Sequence, residues 1–249
     1  MSNTRNTEEK EALFDKIYEC PICASEIKAK TVKTGKAKLE STDDDLRPVY
    51  QNIDSLKYDV VFCKSCGYGS LKKFFEEPVT PVQQKNIQER VVQNFKGTLV
   101  EPEVYSYEDS IMRHKFALLS SVVKLAPVSQ QAYTALKIAW LYRGQGQQLD
   151  REVAGYKEQL ESIKGMELEF IEKACQGFMT SYTTEEFPIC GMDEATFCYL
   201  VSNLCFKTKR YDDAKRWISM VVSSREASSR VKEKARDLKD EIMKVIGEE

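Results

Sequence analysis

Apolar and polar positions along this chain follow two different periods. In the first seventy residues they alternate or fall in short runs. Leu56, Tyr58, Val60 and Phe62 alternate with Lys57, Asp59 and Val61 and run straight into Cys63, the two-residue period of a half-buried strand. Lys28, Ala29, Lys30 and Thr31 point alternately to opposite faces of an extended segment. Residues 11–19 are charged and spaced for a short helix. The stretch Asp43-Asp44-Asp45-Leu46-Arg47-Pro48 reads as a polar turn.

Beyond residue 80 the period becomes helical. Ile87, Val91, Val92 and Phe95 predict a helix over 80–95, ended by Gly97. Ser106 with Asp109 forms a capping box before Ile111, Met112, Phe116, Leu119, Val122 and Val123, and Pro127 closes that helix. Ser129 is the expected cap of a helix carrying Ala132, Leu136, Ala139 and Trp140, which the pattern stops near Gly144-Gln145-Gly146. A long helix is expected over 150–182, bent at Gly165, with Leu160, Ile163, Phe170, Ile171, Ala174 and Phe178 inward. Pro188 and Gly191 break the chain before helices at 193–207, 212–223 and 228–246.

One segment carries a repeat-like pattern. The turn Arg210-Tyr211-Asp212-Asp213-Ala214 resembles the helix–turn–helix of a tetratricopeptide repeat, with Ala214 as the small residue that lets two helices approach. Ala135, Ile138, Ala139 and Tyr142 match the first helix of a second unit, whose partner helix follows only after a long polar linker. The last helix would cap the array, with Lys232, Glu233, Lys234, Arg236, Asp237, Lys239 and Asp240 surrounding Val231, Ala235, Leu238 and Ile242. The alternative is a plain helical bundle.

Composition narrows the class. Hydrophobic residues make up 42% and charged residues 31%, with a net charge of −2 divided evenly between residues 1–80 and the remainder. Neither part has the basic footprint of a nucleic-acid binder. No run of about 18 apolar residues is present, so no membrane span is expected. The polar N-terminus shows no apolar signal region, and a reducing cytoplasm is the expected compartment.

The candidate chemistry lies in two knuckles, Cys20-Pro21-Ile22-Cys23 and Cys63-Lys64-Ser65-Cys66-Gly67. Two such pairs predict a tetrahedral four-thiolate metal site with Cys20, Cys23, Cys63 and Cys66 as ligands. Zinc is the expected metal, as a structural ion, and iron in a rubredoxin-like site is its competitor, since four thiolates suit both. Thiol redox chemistry at the first pair is a further reading, but it leaves the second pair unexplained. Gly67 suits the left-handed turn of a knuckle, where backbone amides point at a thiolate; Ala24 at the matching place is a departure. The 39 residues between Cys23 and Cys63 make a long loop, yet a doubling of loop length costs only about 0.6 kcal/mol. A structural zinc site contributes about 10–16 kcal/mol.

Other candidates are weaker. Cys175, Cys190, Cys198 and Cys205 have no ligand spacing and read as buried small hydrophobes. His114 is the only histidine and reads as a satisfied surface or partly buried residue rather than a base. No nucleophile motif, phosphate loop or dinucleotide fingerprint occurs, so no enzyme is expected. Asp43, Asp44 and Asp45 lack spaced downstream ligands for a hard cation. Lys28, Lys30, Lys33, Lys36 and Lys38 form a basic strip that the acids of 40–45 can neutralise, without interleaved aromatic residues for stacking.

Taken in order, Cys20-Pro21-Ile22-Cys23, Asp45-Leu46-Arg47-Pro48-Val49-Tyr50, Leu56-Lys57-Tyr58-Asp59-Val60, Cys63-Lys64-Ser65-Cys66-Gly67-Tyr68, Leu141-Tyr142-Arg143 and the turn at 210–214 resemble the bacterial domain of unknown function 2225 family. The resemblance covers most of the chain. It implies a metal-binding N-terminal part, helical repeats behind it and no established activity. It carries Arg47, Pro48 and Tyr50 over without a role. Ala24 and Gly69 depart from the residues usual after the knuckles.

The expected fold is therefore α+β, mostly α: a small zinc-ribbon-like β module in 1–80, then an antiparallel tetratricopeptide-like helical array in 81–249. The expected function is a zinc-bearing scaffold for protein–protein interaction. A nucleic-acid-binding or regulatory ribbon and an iron electron-transfer or thiol redox protein are the alternatives. Tyr142, Tyr182 and Trp217 are candidate anchors for a protein partner.

Overall fold

The computed structural model describes residues 2–97 and 101–247, with side chains from Thr7 onward. Helix α1 (Ser2–Glu11) is followed by three two-stranded hairpins: β1 (Leu13–Glu19) with β2 (Glu26–Val32), β3 (Leu39–Thr42) with β4 (Pro48–Tyr50), and β5 (Val60–Phe62) with β6 (Gly69–Leu71). Then come α2 (Lys72–Phe75), α3 (Pro81–Arg90), α4 (Tyr107–Val123), α5 (Val128–Gln148), α6 (Tyr156–Thr184), α7 (Glu194–Lys207), α8 (Tyr211–Ser223) and α9 (Ser229–Gly247). The fold class is α+β, mostly α.

Two expectations in the β region need correction. Most of 11–19 is strand β1, not helix. It pairs antiparallel with β2 in a register that sets Leu13 opposite Val32 and Tyr18 opposite Ile27. Cross-strand bonding to a partner beyond the first knuckle overrides the local spacing, as strand preference commonly yields to tertiary context. The alternating run 56–62 is likewise not one strand. Its first half is a 3₁₀ turn (Ser55–Tyr58) whose N-cap Asp54 accepts from the Leu56 amide at 3.1 Å. Only Val60, Val61 and Phe62 are extended, and all three are buried. Lys57, which alternation places outward, is buried: its Nζ lies 2.5 Å from Glu9 Oε1 and donates to the Tyr105 carbonyl at 2.9 Å. Tyr58 Oη donates to the same Glu9 oxygen at 2.8 Å.

The helix boundaries show which local signals held. Thr80 and Gln83 form a reciprocal capping box with Pro81 in the first turn of α3. That helix ends at Arg90, and a 3₁₀ turn (Val92–Asn94) follows before Phe95. The box of Ser106 and Asp109 starts α4 as the spacing predicts. Ser129 does not act as an N-cap acceptor. Its amide and hydroxyl both donate to the Glu185 carboxylate, at 2.9 and 2.5 Å. α5 runs on through Gly144, where a Cβ would sit 2.5 Å from the Tyr107 ring. This glycine marks a close approach to α4, not a helix end. α6 starts at Tyr156, after turns at 150–155.

Compactness divides the chain into two units, each assembled from separated segments. The first comprises Met1–Ser41, Pro48–Ala126 and Trp140–Lys164. One of its apolar clusters gathers Ile22, Ile27, Ala29, Val61, Tyr68, Phe75, Ile87, Val91 and Val123 around Cys20, Cys63 and Cys66. The second unit comprises Thr42–Arg47, Pro127–Ala139 and Gly165–Glu249. In it Phe170, Phe178, Phe197, Leu204, Ile218 and Leu238 are buried. α7 and α8 pack as a hairpin closed by Thr208, Lys209 and Arg210. Ala214 is fully buried, and its carbonyl accepts the Ser202 hydroxyl at 2.8 Å, so the helices do approach at that alanine. The tip of the β3–β4 hairpin belongs to this unit: Asp45 and Arg47 are buried, and Tyr199 Oη donates to the Asp44 carbonyl at 2.8 Å.

Candidate metal centre

Each knuckle is the loop of a hairpin. β1 ends at Glu19 and β2 begins at Glu26, which leaves Cys20 to Cys23 in the turn; β5 ends at Phe62 and β6 begins at Gly69, which leaves Cys63 to Cys66. The backbone of the two turns matches position for position. Cys20 N–H donates to the Ser25 carbonyl at 3.0 Å and Ala24 N–H to the Cys20 carbonyl at 2.9 Å. In the second turn Cys63 N–H donates to the Tyr68 carbonyl and Gly67 N–H to the Cys63 carbonyl, both at 2.8 Å. Ala24 and Gly67 are both left-handed, with φ of 58° and 79°. The alanine makes the same turn as the glycine, against a steric cost of about 1–2 kcal/mol. Gly67 has a second constraint, because a Cβ there would lie 2.7 Å from the Phe95 ring.

These turns bring four sulfurs together. Cys20 Sγ and Cys66 Sγ are 3.7 Å apart, Cys23 Sγ and Cys63 Sγ are 3.6 Å apart, and all four lie within 4.8 Å of one another. Bonds of about 2.3 Å to a central tetrahedral ion require sulfur–sulfur edges of about 3.8 Å. A disulfide needs about 2.05 Å, so the thiols are free. Cys20, Cys63 and Cys66 are buried and Cys23 sits at the exposed edge.

The electrostatics suit a cation. The amides of Cys23 and Ile22 donate to the Cys20 sulfur, those of Ser65 and Cys66 to the Cys63 sulfur, and that of Tyr68 to the Cys66 sulfur. Such donors stabilise thiolates. Thiol donation from Cys20 and then Cys66 drives the Cys63 thiol far below its ordinary range. Cys20 is pushed up by its bond to Cys63, and Cys66 by its bonds to Cys20 and Cys63. A dication among the four sulfurs would favour their thiolate forms.

The remaining sequence candidates are scattered. Lys28 and Lys30 face carboxylates of Glu26 and Asp15 at 3.8 and 3.2 Å, and Lys33 Nζ donates to the Glu11 carbonyl at 2.8 Å. His114 is fully buried, and its Nδ1 lies 2.7 Å from the Ser110 carbonyl. Cys175 and Cys205 bring their sulfurs to 3.4 Å inside the helical core, where Cys198 is also buried. Arg47 is buried with Nη1 3.5 Å from Asp43, and Pro48 and Tyr50 are half-buried in β4. Of the three aromatic anchors, Tyr142 is buried, whereas Tyr182 and Trp217 are half-buried. Phe187, which sequence reasoning missed, lies beside Tyr182, their rings 5.9 Å apart. Among the described residues no helix is long and apolar enough to cross a membrane.

The model of a family described as an uncharacterized protein conserved in bacteria (DUF2225) matches residues 13–242. That span includes both knuckles and most of the helical elements, and the chain belongs to this family. No curated protein and no solved structure matches it.

Proposed function

We propose that the chain is a cytoplasmic, non-catalytic zinc protein. Cys20, Cys23, Cys63 and Cys66 hold one structural Zn²⁺, and the helical part at 81–249 presents a surface for a protein partner. The observation that carries the metal half is the sulfur spacing of 3.6 and 3.7 Å between paired knuckles whose amides turn toward the sulfurs. Four protein ligands leave no open coordination position, which favours a structural over a catalytic ion. The α7–α8 hairpin with its close contact at Ala214 supports a repeat-like array of the kind that binds other proteins. Lys28, Lys30 and Lys33 are already engaged, which favours a protein over a nucleic acid as partner.

The test is elemental mass spectrometry of the purified chain beside a Cys63→Ser variant. The expected result is one zinc per wild-type chain and loss of that zinc in the variant. Iron with a red absorbance would replace this reading by electron transfer. A metal-free protein with a reducible Cys20–Cys23 disulfide would replace it by thiol redox chemistry.

A further inference from the structure

The second unit contains a cavity of about 330 Å³ between the start of α7 and the end of α8. Its apolar lining comes from Ala195, Cys198, Met220 and Val221, and its carboxylates from Asp193, Glu194 and Glu226. Among the described residues, no lysine or arginine lines it. Asp193, Glu194 and Glu226 are all exposed. Trp217 shares a helix face with three of the lining residues. Trp217, Met220, Val221 and Ser224 follow one another at the three- and four-residue steps that share a helix face. The half-buried Trp217 ring meets the Tyr182 ring edge-on at 4.8 Å, and Tyr182 Oη donates to Glu194 Oε1 at 2.8 Å. The hydroxyl thereby fixes one carboxylate at the cavity and holds an aromatic pair beside it.

We propose that this cavity binds an arginine or lysine side chain of a basic segment in the protein partner. An apolar floor suits the methylene stem, and the carboxylates, with the aromatic faces beside them, suit the cationic head. A neutral apolar residue would fill the floor but leave the acids without a counter-charge, which is why charge complementarity selects a cation. This inference rests on the partner-binding reading above and gives that partner its chemistry.

The protein carries two tryptophans, buried Trp140 and half-buried Trp217. Its indole N–H resonances therefore form a native reporter. The zinc-loaded full chain would be titrated with a blocked peptide, acetyl-Gly-Arg-Gly-Arg-Gly-amide, and with the same peptide bearing norleucine for arginine. The expected result is a saturable shift of the Trp217 indole signal with the arginine peptide only. Binding weakens with added salt and falls about tenfold in the double variant Glu194→Gln, Glu226→Gln. The glutamine at 194 still accepts from Tyr182, so the fold is preserved. Equal shifts by the norleucine peptide, or unchanged affinity in the double variant, would overturn the proposal. Suppose the peptide causes no shift while a protein captured by the chain is retained equally by wild type and double variant. Then the cavity assignment fails and the scaffold reading stands. Failure of both peptide and capture would remove both.

Discussion

At the scale of single residues, the two knuckles show how one backbone shape is obtained from two different side chains. Ala24 and Gly67 occupy equivalent left-handed positions, but Ala24 is exposed whereas Gly67 lies against the Phe95 ring. Gly67→Ala therefore combines an unfavourable φ with a contact 2.7 Å from Phe95. We expect a loss of about 2–4 kcal/mol of stability and weaker zinc retention, read by chemical denaturation and chelator competition. Ala24→Gly should change stability by less than about 1 kcal/mol, since relief of steric cost is offset by a more flexible unfolded chain. Equal effects of the two substitutions would show that the Phe95 contact is unimportant. The cluster of four cysteines was legible because two pairs at that spacing are what a thiolate site would demand. The left-handed alanine was not, because nothing in the letters around residue 24 requires the turn.

At the scale of elements, the capping signals divide by range. Ser106 with Asp109 acts within three residues of its own helix, and the structure keeps that box where the sequence puts it; Asp193, which the sequence marks only as the start of a helix, caps α7 over the same short range. α5 is different, because its first turn is satisfied by a carboxylate 56 residues away. Glu185 supplies two charge-assisted hydrogen bonds and a negative charge at a helix N-terminus. Glu185→Ala should cost about 1–3 kcal/mol, measured as a shift in the urea midpoint. Ser129→Ala should cost less, because the amide bond to Glu185 survives. If Glu185→Ala proves neutral, water is replacing the carboxylate and the contact adds nothing. β1 and the 3₁₀ turn at 55–58 illustrate the same division. Their conformations are set by contacts beyond the local window: β1 by its partner strand across the first knuckle, and the 3₁₀ turn by the buried pair of Lys57 with the distant Glu9.

At the scale of the whole molecule, the metal would tie together two hairpins of the first unit only, while the second unit has its own buried core. Removing zinc with a chelator should therefore strip hydrogen-exchange protection from β1, β2, β5 and β6, because ligand binding stabilises only the structure it contacts. Amides of α7, α8 and α9 should keep their protection. Simultaneous loss in both units would mean that they unfold as one cooperative body. The sequence by itself determined the α+β class, most helices, the grouping of four cysteines and the alanine contact of the α7–α8 hairpin. Each of these is encoded by side-chain period or by residue type at short range. Only the tertiary structure decided that residues 42–47 join the helical unit, that Lys57 turns inward, that Glu185 caps α5, and that Trp217 and Tyr182 stand beside an acid-rimmed cavity. Those features come from groups tens of residues apart, whose pairing depends on burial and on hydrogen bonds that exist only after the chain has folded.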